Sequence, residues 1–172
     1  MSGIHGRVIW ITGLSGAGKT TLARNLLPLL PAPVLWFDGD GIRKALASVA
    51  GGYSREDRLR LAYASANLCK LAAEQGLTVV CSIMALFHEI QLWNRENQPG
   101  YFEIFIDMPE KVRLNRDYKE VYRPPGSGET TPVVGRQIAP EVPLNPDLHL
   151  TDHRLAPDRQ AVLVLDALSA VR

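Results

Sequence analysis

The sequence predicts an α/β fold in which helices flank a parallel five-stranded sheet. Short apolar runs rich in β-branched and aromatic residues alternate along the chain with segments of helical composition. Near-continuous apolar strands are typical of parallel sheets, because helices cover both faces of such sheets. With 172 residues, 46% of them hydrophobic and 22% charged, the chain has the size and balance of one globular domain, 1–172.

The alternation of apolar runs and helical segments predicts the bounds of each strand and helix. The predicted strands are residues 7–11, 34–37, 77–83, 102–106 and 147–150, and the predicted helices are residues 19–27, 42–49, 55–75, 89–97, 110–116 and 157–171. The longest helix has recognisable ends, because Ser54 and Asp57 resemble a capping box and Gly76 is a helix-stopping glycine. The last helix is predicted to bury one apolar stripe, made of Ala161, Leu165, Leu168 and Val171.

One stretch, residues 122–135, breaks this alternation. It contains three prolines and three glycines among polar residues, and these continue neither a helix nor a strand. A loop of this length inside a compact domain is typical of a lid over a binding site. We therefore predict a lid at about residues 117–135 and no second domain.

Charge and cysteine content exclude several classes of partner. The formal net charge of +1 provides no overall basic field for a nucleic-acid polymer or an anionic membrane. No run reaches the roughly 18 apolar residues that a membrane-spanning helix needs. Cys69 and Cys81 lie in apolar segments, which predicts buried reduced thiols and a cytoplasmic protein. The sequence leaves the oligomeric state open, a homodimer included.

A phosphate-binding loop follows the first predicted strand and precedes the first predicted helix. Its sequence GLSGAGKT matches the pattern G-x-x-x-x-G-K-[ST]. Glycines let backbone N–H groups curl around a phosphate chain, Lys19 reaches the β- and γ-phosphates of ATP, and the Thr20 hydroxyl is placed to ligate Mg²⁺. The predicted ATP-binding residues here are Gly13, Leu14, Ser15, Gly16, Ala17, Gly18, Lys19, Thr20 and Thr21.

Two carboxylates follow the second predicted strand, in Asp38-Gly39-Asp40. Ligands of open parallel sheets sit at the carboxyl ends of the strands, so both carboxylates are expected beside the phosphate-binding loop. There they can orient an acceptor hydroxyl, act as its base or hold Mg²⁺, although the same tripeptide is also typical of a capped turn. We assign Lys19, Asp38 and Asp40 as catalytic and Thr20 with Asp38 to the metal, while the division between base and metal ligand stays open.

Further motifs carry a family resemblance. The loop continues as GLSGAGKTTLA, DGDGIR follows the second strand, YSREDR occupies residues 53–58, and Arg116-Asp117 precedes the predicted lid. In these motifs, and in the segment from Glu141 to Pro146, the chain resembles adenylyl-sulfate kinases, whose patterns include DGDxxR, FSxEDR and RDPKGLY. The resemblance runs from about residue 8 to residue 150.

The resemblance implies a P-loop kinase fold and transfer of the γ-phosphate of ATP to the ribose 3′-hydroxyl of a small 5′-modified nucleotide such as adenylyl sulfate. It implies that Asp38 and Asp40 face that hydroxyl and the metal, and that Arg116 lies against the adenine of ATP. Arginines 43 and 58 would bind the acceptor's phosphate-borne anion, a task that suits the guanidinium group. The residues assigned to the acceptor are Asp40, Arg43, Tyr53, Arg58, Ser82 and Val133.

The chain departs from the family pattern on the acceptor side. The family stacks the adenine of its acceptor between two phenylalanines, where this sequence has Tyr53 and Val133. The family's asparagine and arginines after EDR are replaced by Leu61, Tyr63 and Ala64. Because the ATP side is intact, these changes indicate a modified acceptor pocket. They leave a second acceptor open: cytidine diphosphoramidate, the substrate of similar kinases that act in capsule modification.

Two other classes explain the sequence less well. A regulatory P-loop NTPase generally carries an aspartate after a further apolar strand, and the end of predicted strand 77–83 has none. A small-metabolite kinase of the gluconate or shikimate type leaves the matches to EDR and DGDxxR unexplained. The sequence therefore favours a nucleotide kinase without identifying its acceptor.

Overall fold

The computed structural model describes residues 6–48, 50–116 and 132–171. One parallel sheet has the strand order β2-β3-β1-β4-β5. Its strands are β1 (Arg7–Thr12), β2 (Val34–Asp38), β3 (Thr78–Ser82), β4 (Phe102–Ile106) and β5 (Leu148–Leu150). The helices are α1 (Lys19–Leu26), followed by a 3₁₀ turn at Leu27–Leu29, α2 (Gly39–Ala45), α3 (Arg55–Glu74), α4 (His88–Asn97), α5 (Glu110–Asn115) and α6 (Pro157–Ala170).

The sheet carries an apolar layer on each face. In β1 the side chains of Ile9 and Ile11 enter a cluster with α1 and α6, whereas those of Val8 and Trp10 enter a second cluster with α3 and α4. Successive side chains of a strand point to opposite faces, so covering both faces requires apolar residues at nearly every position. This double coverage explains why the strands are continuous apolar runs in the sequence.

The predicted α/β class and the flanked parallel sheet are confirmed. Every predicted element forms, and apart from α2 each begins and ends within one residue of its predicted bounds. The Ser54 Oγ caps α3 by accepting from the Asp57 N–H at 3.1 Å, and Gly76 follows this helix with φ of +87°. Residues 117–131, most of the predicted lid, lie outside the described residues. In the described ranges no helix is both long and apolar enough to cross a bilayer.

Helix α2 lies earlier in the chain than predicted, and it includes residues 39 and 40. It runs from Gly39 to Ala45 instead of from residue 42 to residue 49, so Asp38 ends β2 and Asp40 lies in the first turn of the helix. A Cβ on Gly39 would lie 3.1 Å from Cγ1 of Ile83, just after β3. Because glycine has no Cβ, the helix can begin this close to the sheet. The segment is therefore a strand-to-helix junction and not a turn.

The buried stripe of α6 also differs from the prediction. Val164 is buried, Leu165 is half-buried and Val171 is 59% exposed. The helix ends one residue before Val171, so that side chain does not continue the helical face. Gln160 takes a buried position because its amide donates to two backbone carbonyls of the preceding loop.

A buried carboxylate lies near the start of β4, away from the carboxyl edge of the sheet. Glu103 is 3% exposed, with Arg95 of α4 at 3.4 Å from one carboxylate oxygen and the Tyr101 hydroxyl donating to the other at 3.3 Å. Asp147 accepts from the Glu103 N–H and pairs with Arg95, both at 2.7 Å. Burial raises the pKa of Glu103 to about 7, and the charge of Arg95 offsets this only in part.

We predict that Glu103→Gln changes how folding stability depends on pH. The carboxyl titrates near 4.5 when unfolded and near 7 when folded, so its stabilising contribution is fully present below pH 4.5 and is lost as pH rises through 7. From about pH 5 to pH 8 the variant should therefore gain on the order of 1–3 kcal/mol of unfolding free energy relative to the wild type. Urea unfolding at both pH values measures this, with Glu96→Gln on the exposed face of α4 as the control. Parallel pH profiles for wild type and Glu103→Gln would contradict the prediction.

Candidate active site

The phosphate-binding loop lies between β1 and α1, at the carboxyl edge of the sheet. Gly16 and Gly18 adopt φ of +76° and +104°, in the left-handed region that favours glycine. A Cβ on Gly16 would also lie 2.8 Å from the carbonyl oxygen of Arg113 in α5, too close for any side chain. The loop can therefore turn tightly into the N-terminus of α1, where backbone N–H groups and the positive end of the helix favour an anion.

Lys19 and Arg116 bring positive charge to this loop. The Nζ of Lys19 donates to the carbonyl oxygens of Gly13 and Leu14, at 2.9 Å each. A Cβ on Gly18 would lie 3.9 Å from Nη1 of Arg116, which caps the C-terminus of α5. The arginine predicted to lie against adenine is thus beside the loop. The other predicted ATP-binding positions follow the same turn into α1, with Ser15 and Thr20 half-buried, Ala17 buried and Thr21 exposed.

A chain of hydrogen bonds links the ends of β2 and β3 to α1. The Thr20 Oγ1 donates to Oδ1 of Asp38 at 2.9 Å, and the Ser82 Oγ donates to the same oxygen at 3.0 Å. The indole N–H of Trp36 donates to the Ser82 Oγ at 3.0 Å. Because the Asp38 side chain makes no capping bond to α2, Thr20 and Ser82 set its orientation.

Thr20 and Asp38 fit the predicted Mg²⁺ site. Hydroxyl and carboxylate oxygens are ligands that Mg²⁺ takes, and here the two lie together beside the phosphate-binding loop. Asp40 lies exposed in the first turn of α2, so the two predicted catalytic carboxylates have different surroundings. Ser82, predicted to contact the acceptor, is buried, and its hydroxyl is engaged by Asp38 and Trp36.

Two arginines lie over the ring of Tyr53, which is 44% exposed. The Cζ atoms of Arg43 and Arg58 are 4.4 Å and 5.3 Å from the ring centroid. Arg43 donates to the Gly52 carbonyl at 2.8 Å and Arg58 to the Tyr53 carbonyl at 3.0 Å. In the part of the chain that the structure describes, neither has a carboxylate within ion-pair distance. Burial, and then repulsion from Arg43, lowers the pKa of Arg58, so the pair is suited to binding an anion.

Residues 132–138 connect this arginine pair to the phosphate-binding loop. The Pro132 carbonyl accepts from Nη2 of Arg58 at 2.7 Å. Val133 is buried, and its carbonyl accepts three backbone N–H groups in a turn. Gly135 has φ of +93°, and a Cβ there would lie 3.1 Å from Cδ2 of Leu14. The segment therefore meets Arg58 at Pro132 and the phosphate-binding loop at Gly135, with the buried Val133 between these two contacts.

Two α3 residues that differ from the family pattern, Leu61 and Tyr63, contact other residues of this fold. Leu61 is buried in a small cluster with Ile42 of α2. The Tyr63 hydroxyl donates to Glu89 at 3.0 Å, and its ring meets Trp93 edge-on with centroids 5.8 Å apart. Neither position supplies a positive charge to an acceptor.

Sequence reasoning missed two contributors to this site. Trp36 lies two residues before Asp38 in β2, and strand residues two apart share a face. That spacing could have indicated its contact with Ser82. Glu141 binds Arg55, which is 86 residues away in the chain, and no local pattern indicates such a contact.

Comparisons with known proteins agree with the family resemblance of the sequence motifs. A family model described as adenylylsulphate kinase matches residues 5–151. The chain is 39% identical over 148 residues to the adenylyl-sulfate kinase of Chloroflexus aurantiacus, covering 84% of this chain and 79% of that protein. It is 34% identical over 134 residues to the cytidine diphosphoramidate kinase of Campylobacter jejuni, covering 76% and 78%. Among solved structures, the Mycobacterium tuberculosis APS kinase CysC in complex with AMPPNP and APS superposes with a TM-score of 0.76 at 29% identity, covering 96% of this chain and 98% of that chain.

We predict that Ser82→Ala lowers the free energy of unfolding by about 1–3 kcal/mol, because it leaves the Trp36 N–H and one side of Asp38 without a partner. Urea unfolding measures the loss. The control is Ser169→Ala, whose exposed hydroxyl donates to a carbonyl within α6. Equal small effects of the two substitutions would contradict the proposed importance of the Ser82 contacts.

Proposed function

The chain belongs to the adenylylsulphate kinase family, and on this premise we propose that it transfers the γ-phosphate of ATP to the ribose 3′-hydroxyl of a 5′-modified nucleotide such as adenylyl sulfate. The observation that carries the proposal is the 2.9 Å contact between Thr20 Oγ1 and Asp38 Oδ1 beside the phosphate-binding loop. In P-loop enzymes the hydroxyl of the phosphate-binding loop and a nearby carboxylate hold the Mg²⁺ that accompanies ATP, and Asp38 supplies a carboxylate beside Thr20.

On the donor side, the loop and the N-terminus of α1 bind the phosphates of ATP. Lys19 leaves the carbonyl oxygens of Gly13 and Leu14 and donates to the β- and γ-phosphates, where its charge stabilises the transferring group. Arg116, already beside Gly18, provides a planar face for the adenine.

Thr20 and Asp38 would hold Mg²⁺, for which their oxygens are suitable ligands. When bound, Mg²⁺ neutralises negative charge on the phosphates. Ser82 keeps Asp38 turned toward Thr20. We assign the metal to Asp38, which contacts Thr20, and the acceptor hydroxyl to Asp40, which is exposed in the first turn of α2.

On the acceptor side, Arg43 and Arg58 bind the 5′-phosphate-borne anion and Tyr53 stacks against the base. The lack of a neighbouring carboxylate among the described residues supports this role, because an anion relieves the repulsion between the two guanidinium groups. Val133 lies where the resemblance expects a second aromatic ring, so only one stacking surface is available.

A second acceptor, cytidine diphosphoramidate, is favoured by specific residues. Val133, Leu61 and Tyr63 replace an aromatic stack and polar contacts of the family pattern. A pyrimidine is smaller than adenine and needs less stacking surface. The similarity to the Campylobacter jejuni kinase supports this alternative.

Asp38→Asn should lower the turnover of phosphate transfer by about a hundredfold and change the KM for ATP much less. Asparagine can still accept from Thr20 and Ser82, so mainly the negative charge is lost. Steady-state kinetics with both substrates measure the effect, and Asp158→Asn in the first turn of α6 is the control. An effect on the KM for ATP alone would show that Asp38 has another role.

If the second acceptor is the right one, the kcat/KM for adenylyl sulfate should be about a hundredfold lower than that for cytidine 5′-diphosphoramidate. The reason is that adenylyl sulfate lacks one stack and two hydrogen-bonding partners of about 1 kcal/mol each in this pocket. Both acceptors are assayed with identical ATP and Mg²⁺. Efficient use of adenylyl sulfate with the cytidine compound inert would show that the substitutions do not change acceptor choice. Activity with gluconate or shikimate and with neither nucleotide would overturn the proposed function.

A further inference from the structure

Two arginines of α3 bind the two ends of residues 132–141. Nη2 of Arg58 donates to the Pro132 carbonyl at 2.7 Å, and Nη2 of Arg55 donates to Oε1 of Glu141 at 2.8 Å. Helix residues three apart lie on neighbouring positions of one face, about one turn from each other. The same stretch of helix therefore holds both ends of this segment.

Glu141 has three further contacts at the start of α4. Its second carboxylate oxygen accepts from the backbone N–H of His88 at 2.7 Å, and its backbone N–H donates to the Leu86 carbonyl at 2.9 Å. The Gln91 amide donates to its backbone carbonyl at 2.7 Å. Phe87, the residue before α4, has no side-chain cap, so Glu141 supplies the capping carboxylate from a distant part of the chain. The hydrogen bond from Arg55, and then that from His88, lowers the pKa of Glu141.

Arg55 also contacts Phe87, the residue before α4. Its Cζ lies 5.0 Å from the ring centroid of Phe87. Arg58, in contrast, is oriented by two backbone carbonyls, of Tyr53 and Pro132. The Pro132 carbonyl meets Arg58 at the near end of residues 132–141, beside the hydrogen-bonded turn at Val133. The Glu141 side chain fastens the far end to Arg55 and to the start of α4.

We propose that Glu141 is a positioning residue for the acceptor site: through Arg55 and the start of α4 it holds residues 132–141 so that Pro132 orients Arg58. The proposal rests on the proposed function, in which Arg58 binds the acceptor's anion. Among the described residues Glu141 makes no contact with the phosphate-binding loop. The segment meets that loop at Gly135, beside Leu14, where the turn is closed by its own backbone hydrogen bonds and does not need Glu141. Loss of the Glu141 contacts should therefore raise the KM for the acceptor and leave the KM for ATP nearly unchanged.

The test measures steady-state KM values for ATP and for the better nucleotide acceptor in Glu141→Gln, Glu141→Ala, Arg55→Gln and the double variant Arg55→Gln with Glu141→Gln. We expect the acceptor KM to rise about tenfold, as for loss of a partly exposed charged hydrogen bond, with the KM for ATP within about twofold. The double variant should resemble the single ones, because all of them remove one shared contact. Arg55→Lys, which keeps the charge, should restore part of the affinity. Glu74→Gln, which breaks a surface ion pair with Lys70 at the far end of α3, is the matched control.

An acceptor KM that stays unchanged in Glu141→Ala and Arg55→Gln overturns this inference, even if their thermal midpoints fall. A joint rise of both KM values also overturns it, because a purely structural role affects both substrates. If the wild type phosphorylates none of the nucleotides, the proposed function fails and this inference fails with it. An active wild type with unaffected variants counts against the inference alone.

Discussion

Oδ1 of Asp38 accepts hydrogen bonds from both Thr20 and Ser82, and the geometry of the whole site depends on this shared acceptor. The three residues belong to β2, α1 and β3, which are distant in sequence. Parallel pairing places the ends of β2 and β3 side by side, with Asp38 in register with Ser82.

The arginines discussed above have two kinds of surroundings. Arg95 is matched by Glu103 and Asp147, and this network lies near the start of β4, away from the carboxyl edge. At Tyr53 the arginines lie close together without such a match among the described residues. A repulsive pair lowers the stability of the ligand-free protein, and a bound anion reverses that loss. The absence of a carboxylate partner for this pair in the described ranges therefore supports the proposed binding of the acceptor's anion.

The acceptor side depends on contacts between distant segments to a greater extent than the ATP side. The phosphate-binding loop is one continuous stretch whose glycines and following helix already define its shape. The proposed acceptor side combines α2, α3 and residues 132–141. Arg43 of α2 contacts Tyr53 and Gly52 just before α3, whereas Arg58 and Arg55 of α3 bind Pro132 and Glu141. Single substitutions can therefore retune the acceptor pocket while the ATP side is preserved.

The sequence by itself determined the sheet, the bounds of nearly every element and the phosphate-binding loop. These follow from local signals: covered strands are apolar at nearly every position, and the loop needs glycines at fixed spacing. The roles of Arg43, Arg58 and Val133 stay predictions that depend on a family resemblance. Only the tertiary structure showed that Asp38 and Asp40 have different surroundings. It also showed that Trp36 donates to Ser82 and that Arg55 binds Glu141, 86 residues away. Such contacts form only when the whole sheet and its helices pack together, so local sequence patterns do not predict them.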